Sequence, residues 1–405
     1  MKPLSSFFLV AVFCTAGVLF LSCWKDKTIK DKGFEDIHLN MSPTYGVPVM
    51  DLTIKGDDVA RRINRDSATN SFYVAYQGIH DLCVITYDKT NIRVSLPSPP
   101  RVDSNMVVDY QLDFFSDLRK QDGWEPLEAY IMLYVDNYCT RDLKCRMDAL
   151  DYENNSGSKQ SAIASGLLPK EGDIGAAAVT GTPKRTLPAT IDRLRVSDPN
   201  DIVFHGKEAM LTFNIRTADN NPFPADGRLN LNPRIEVPVH IKLKNFTRRD
   251  TVAASLDEIV KYADGKALSA KKVTMYLKII NALPFDADLQ IYFADENHNL
   301  LDSIDMKTIF VERGIADAAT FLVKETKTTN KEISMTTEQL KRLKGTKYLI
   351  VKEVFTSWDS SLSDFKAVKL FKSNYMNVIL SVKVDAIMDG TISDIKEEMS
   401  NYDKK

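Results

Sequence analysis

Two stretches, "AYIMLYVDN" at 129–137 and "VTMYLKIIN" at 273–281, end in asparagine and contain the segments Tyr130 to Val135 and Val273 to Ile280, which are apolar on both faces. Runs of this length fit strands covered from both sides, at the centre of a sheet rather than at its edge. They lie 144 residues apart and share Leu133 with Leu277 and Asn137 with Asn281. Two buried strands share that much by chance as readily as by duplication, and both origins stay open.

Around them strict alternation recurs. Val108, Tyr110 and Leu112 stand against Asp109, Gln111 and Asp113, Leu211, Phe213 and Ile215 against Thr212 and Asn214. Ile235, Val237, Val239, Ile241 and Leu243 form a third face, and Met376, Val378, Leu380, Val382 and Val384 a fourth. Period two reads as half-buried strand. Helical signals are few: Ser255 to Glu258 and Thr336 to Gln339 are capping boxes, with Gly265 and Gly345 as stops, and Ile392 to Tyr402 is amphipathic. The expected fold is mainly β, with β-sandwich-like domains of antiparallel sheet and a few short helices. Residues 153–186 hold five of the seventeen glycines and almost no aromatic residue. They are expected as a flexible linker or long loop between β-rich domains at 45–152 and 187–405.

"GVLFLSCWKDK" at 17–27 decides where the chain belongs. The apolar run Phe7 to Leu21 follows Lys2 and closes with Ser22, the layout of a secretory signal. Fifteen residues fall short of the about 20 that a membrane-spanning helix needs. Phe20-Leu21-Ser22-Cys23 resembles the lipobox of bacterial lipoproteins in the looser form met in Bacteroidota. The resemblance implies cleavage after residue 22 and a lipidated Cys23, with the charged stretch 23–44 as a tether. It places the protein at the outer membrane, on the periplasmic face or the cell surface.

Of the remaining cysteines, Cys139 and Cys145 in "CTRDLKC" are expected to form a bridge across a reversal from Thr140 to Lys144, leaving Cys83 as a buried thiol. Catalytic signatures are missing. The five histidines never fall at helical metal spacing, no HExxH or CxxC occurs, and the two SxxK matches lack a KTG partner. "DENHN" at 295–299 opens like a calcium loop, but Leu300 and Met306 stand where glycine and glutamate are needed, so a plain turn is expected. No catalytic residue, cofactor or metal is assigned. Trp358, among the turn-like residues "FTSWDSS", is the aromatic side chain expected to be exposed for ligand contact.

A formal net charge of −2 carries no basic stripe for nucleic acid. The region "VTMYLKIINALPFDADLQIYFADENHNLLDSI" at 273–304, with "YGVPVMDLTI" and "NPRIEVPVHIKLKNFTRRDT", resembles a pattern met in β-rich Bacteroidota envelope lipoproteins. That resemblance carries no catalytic residue. The expected function is a membrane-anchored, non-catalytic binding or adhesion module, whose partners are the membrane and a glycan or protein ligand. A fimbrillin-like pilus subunit and an envelope enzyme with a site built from distant loops are the alternatives. Changing Cys23 to Ser is expected to move the protein from the detergent to the aqueous phase on phase partitioning. Retention in detergent would make the apolar run the anchor.

Overall fold

The computed structural model describes residues 38–391, Asp394 and Glu397, apart from 43, 64–71, 89–91, 98–100, 113–122, 180, 187–191, 226, 258, 261–267 and 305–307. Cys23, most of the tether and most of the C-terminal amphipathic stretch lie outside the described residues. Residues 38–41, assigned to the tether from sequence, form a strand.

The described residues are mainly β, arranged as antiparallel sheets with three short helices. In the first sandwich a seven-stranded sheet runs in the order Lys184–Thr186, Tyr130–Asn137, Arg228–Pro238, Leu82–Asp88, Phe72–Gln77. Leu194–Arg195 also pairs with Tyr130–Asn137, and Ile92–Ser95 with Arg228–Pro238. The second sheet of this sandwich runs Lys159–Ser161, Leu143–Asn154, Gly206–Thr217, Asp103–Gln111. Alternate residues of both sheets enter the apolar core, Ile131, Leu133, Val135, Leu231 and Ile235 from one and Met147, Leu150, Leu211 and Phe213 from the other.

The second sandwich follows the same plan. Leu268–Asn281 is central, between Lys327–Met335 and the long last strand Tyr375–Thr391. The other sheet runs Phe246–Ala253, Tyr348–Thr356, Asp286–Ala294, Leu300–Ser303. The strands seen first in the sequence are therefore equivalent: each has a neighbour on both sides in its sheet, and the chain then crosses to an interior strand of the facing one. A small sheet of Trp124–Pro126, His240–Leu243 and Val368–Lys369 draws on segments from across the chain.

The equivalence extends to single atoms. At the corner where the chain changes sheets, Asn281 Nδ2 donates to Phe285 O at 3.2 Å and to Glu312 O at 3.0 Å, and its Oδ1 accepts from Leu283 N at 2.9 Å. Asn137 Nδ2 donates to Arg141 O and Gly175 O, both at 3.0 Å, and its Oδ1 accepts from Cys139 N at 2.9 Å. Five residues on, Asp286 accepts from Arg313 N and Asp142 from Ala176 N, both at 2.7 Å. Matching backbone bonds follow, Gly314 N to Leu283 O and Ala177 N to Cys139 O. Two identities in nine residues thus mark a shared topology with a shared hydrogen-bond network.

The repeat units are interleaved along the chain. Thr44–Lys55 pairs with Tyr375–Thr391 of the second sandwich, and Gly56 N donates to Asn374 O at 2.7 Å. The first sandwich has the same bond from Leu96 N to Gly227 O at 2.8 Å, after Ile92–Ser95. Helix α1 (Gly56–Ile63) then carries the chain to the first sandwich, burying Val59, Ala60 and Ile63. Its first residue has to be glycine, because a Cβ there would lie 2.2 Å from Phe371 O. The strand assigned from sequence to the start of an N-terminal domain therefore belongs to the last sheet.

Residues 153–186, expected as a linker, instead carry three short strands. Lys159–Ser161 and Lys170–Ile174 pair with Leu143–Asn154, and Lys184–Thr186 pairs with Tyr130–Asn137. Ala162, Ile163 and Ile174 supply the burial that composition concealed. Helix α2 (Pro199–His205), capped by Asp198, precedes Gly206–Thr217. Helix α3 (Thr337–Arg342) has the expected Thr336–Gln339 capping box and precedes the equivalent strand Tyr348–Thr356.

Only an amide can fill the corner, since each site needs two N–H donors and one acceptor on one short side chain. Asn281→Ala is expected to cost about 2–4 kcal/mol by leaving buried backbone groups unpaired, read as a lower urea midpoint. Asn137→Ala should behave alike, and a loss below about 0.5 kcal/mol for either would remove the corner's structural role.

Candidate functional site

The outward face of the seven-stranded sheet carries polar and aromatic ladders. Cross-strand register sets Arg195, Tyr130, Glu236, Thr86 and Tyr73 in one row. Met132, Arg234 and Asp88 form the next, then Tyr134 and Asn232, then Arg185, Asp136, Asn230 and Arg93. These residues alternate with the core positions of the same strands, so the hydrophobic pattern that builds the sandwich also delivers this set to one surface.

Side chains knit the rows together. Arg185 grips Asp136 with Nε at 2.8 Å and Nη2 at 3.0 Å, and Asn232 donates to the same carboxylate at 2.8 Å. Those bonds hold Asp136 below the usual carboxylate range despite its burial. Arg193 Nη1 reaches Gln77 at 2.6 Å and Glu236 at 3.0 Å. Tyr130 donates to Glu128, and burial followed by the Glu128 charge pushes its phenol up. Burial, then Asp88, does the same to Tyr73.

Guanidinium groups cover the rings. Arg193 lies 4.6 Å from the Tyr130 centroid, Arg228 4.0 Å from Tyr138, Arg234 5.5 Å from Tyr73 and Arg185 5.9 Å from Tyr134. In two of the pairs the acid lies beneath and the cation above: the side chains of Asp136 and Glu236 are 10% and 6% exposed, those of Arg185 and Arg193 59% and 40%, while Asp88 at 40% is more exposed than its partner Arg234 at 22%. Fixed donors, aromatic edges and amides on one rigid sheet can bind a polar ligand; no nucleophile paired with a base stands among them.

The equivalent sheet of the second sandwich is different. Its matching outward rows hold Thr274 with Lys383 and Ser334, Tyr276 with Ser381 and Glu332, and Lys278 with Ile379 and Asn330. It has one tyrosine in these rows and no arginine.

A second polar cluster lies inside the second sandwich. Glu353 is fully buried on the same strand face as Val351 and Phe355, opposite Arg248. Arg248 Nη2 sits 2.6 Å from Asp250 Oδ2, and Arg62 of α1 approaches Asp250 at 3.8 Å. Neither Glu353 oxygen has a hydrogen-bond partner among the described residues. Burial, and then the Asp250 charge, push its carboxyl up to about 8 against the pull of Arg248.

The residues singled out from sequence lie elsewhere. Trp358 is 43% exposed and packs edge-to-face on Phe365 at 5.2 Å, in a short hairpin whose Trp358 carbonyl accepts from Arg313. The expected reversal after Asn137 is present, but Asn137 closes it. Cys139 and Cys145 stand there as separate buried thiols, as does Cys83. Cys145 sits within the strand Leu143–Asn154, opposite Ile215 and Gly172, and burial pushes its thiol up to about 12. Asp295 closes the "DENHN" turn by accepting from Asn297 N and Asn299 N, both at 2.8 Å. No group of three metal-ligating side chains occurs among the described residues, and no helix among them is long and apolar enough to cross a membrane.

No protein-family model matches the chain, and no curated protein is similar to it in sequence. Among solved structures it is similar to a protein described as secreted from Parabacteroides distasonis. That match has 16% identity and a TM-score of 0.43, covering 84% of this chain and 99% of that one. It is similar also to the tandem CBM22 domains of Xyn10C from Paenibacillus barcinonensis, at 9% identity and TM-score 0.16, over 85% of this chain and 100% of that one. The PBSX exported protein XepA aligns at 8% identity and TM-score 0.16, over 73% and 86%.

Because the folded pKa of Glu353 is raised, its contribution to stability is complete below the unfolded value near 4.5 and is lost as pH rises through about 8. Glu353→Gln is expected to raise stability at pH 5 by less than about 1 kcal/mol. At pH 8.5 it should raise stability by roughly 2–4 kcal/mol relative to the parent. An equal effect at both pH values would mean that Glu353 keeps its charge when buried.

Proposed function

We propose that this protein is a non-catalytic binding module of the bacterial cell envelope, held to the outer membrane through lipidated Cys23. Its ligand is recognised on the Tyr–Arg face of the first sandwich. One observation carries this reading: two sandwiches with the same topology and the same corner network differ in their outward faces. Folding demands are shared by both units, so they do not account for an arginine–tyrosine–carboxylate layer on one of them. The signal-like N-terminus supports display outside the cytoplasm, and a rigid sheet face supports recognition without chemistry.

The test uses the full chain with Cys23→Ser, to remove the lipid, applied to an array of host, plant and microbial glycans and extracellular-matrix proteins. Retention of at least one of these is expected, and loss of that retention in Tyr134→Ala, provided the variant melts where the parent does. Retention that survives Tyr134→Ala and is lost with Trp358→Ala would move the site to the Trp358 hairpin.

A further inference from the structure

We infer that the ligand of the Tyr–Arg face is an acidic polysaccharide, a glycan whose uronate carboxylates are taken by the arginine forks; this rests on the binding-face reading above. Six arginines belong to the face, Arg93, Arg185, Arg193, Arg195, Arg228 and Arg234, against the carboxylates of Asp88, Asp136, Glu236 and, at the rim, Glu128. The chain as a whole has a formal net charge of −2, so this excess of cations is local.

Depth sorts the charges further. The acids of Asp136 and Glu236 are sunk under the arginines that pair with them, and Asp88, 40% exposed beside Arg234, is the carboxylate that reaches the surface, so the layer meeting a ligand is mainly guanidinium. Arg185 spends Nε and Nη2 on Asp136, and Arg193 spends Nη1 on Gln77 and Glu236. Each guanidinium has five N–H donors, so both have others for a ligand oxygen while the ring and carboxylate hold the fork in place. Planar forks fixed before binding suit carboxylates, which accept two parallel bonds and leave little side-chain entropy to lose.

The same caps argue against two other occupants. A neutral sugar or a nucleobase gains most from lying flat on a bare aromatic ring. Here the four tyrosine rings are already faced by arginine, so a stacking ligand would first have to displace a cation. A polymer that presents anions along its length needs no such displacement.

Binding of the full-length Cys23→Ser protein to polygalacturonate is compared with binding to its fully methyl-esterified form, which keeps the backbone and loses the charge, and to oligothymidylate. Polygalacturonate is expected to bind at least tenfold more tightly than either, and to weaken at least tenfold between 20 mM and 500 mM salt. The combined Arg93→Gln and Arg195→Gln variant changes two exposed side chains at opposite edges of the face and is expected to weaken binding about tenfold without a change in melting temperature. Equal binding of the ester, lost on Tyr134→Ala, would overturn the acidic class and leave the binding face standing. Tighter binding of oligothymidylate would make the ligand a nucleic acid. If none of the three polymers binds, the acidic-glycan assignment falls, while retention on the broader array still decides whether the face binds anything.

Discussion

A sandwich strand that leaves one sheet to join the facing one must turn at the end of the core, where its backbone leaves the ladder. The buried amides of Asn281 and Asn137 meet that constraint. Each ties the residue two ahead, the residue four ahead and a carbonyl from a distant segment, Glu312 or Gly175, to one point. An unpaired backbone group at this depth would cost about 1–3 kcal/mol, so the amide decides whether the corner closes at all.

With the corner fixed in duplicate, the chain's order adds a second constraint. Tyr375–Thr391 pairs with Leu268–Asn281 on one side and with the N-terminal strands His38–Met41 and Thr44–Lys55 on the other. The second sandwich is therefore completed only when both ends of the described chain meet. The first sandwich, whose strands all fall between residues 72 and 238, depends on nearer partners. Contacts of such separation carry a loop-closure cost that grows only slowly with length, so the distance along the chain adds little to what this closure costs. Helix α1 links the two events, since it starts at the end of Thr44–Lys55 and packs against strands of the first sandwich.

The β class and most strand positions were legible because alternation is local: Leu211, Phe213 and Ile215, or Val378, Leu380 and Val382, announce a buried face within a few residues. The short strands in 153–186 were not, because Lys159–Ser161 and Lys184–Thr186 carry no apolar pattern and exist only as partners of longer strands. The ladder face was half visible. Tyr130, Tyr134 and Asp136 alternate with core residues, as do Asn230, Asn232, Arg234 and Glu236, but Tyr130 to Val135 reads in sequence as covered on both faces, whereas one face is the outward ladder. What joins them is a register between strands about a hundred residues apart, and Arg193 arrives from outside any strand. Cys139 and Cys145 misled for a related reason. The turn between them needed a fastener, and Asn137 supplies it.

Energetics separate the two polar clusters. Arg185 is 59% exposed but covers a carboxylate that is only 10% exposed, so the pair is half-buried and losing the arginine would cost more than the about 0–1 kcal/mol of an exposed pair. The equivalent sheet of the second sandwich forms without such pairs, with Thr274, Lys278, Ser381 and Lys383 in those rows. Glu353 is the opposite case, a buried acid that costs stability when ionised and is confined by Arg248, Asp250 and α1 in the interior, where its carboxyl meets protein rather than ligand. A face whose equivalent sheet folds without arginines, yet which pairs two buried acids with exposed cations and caps its rings in register, is ordered for something that touches it from outside.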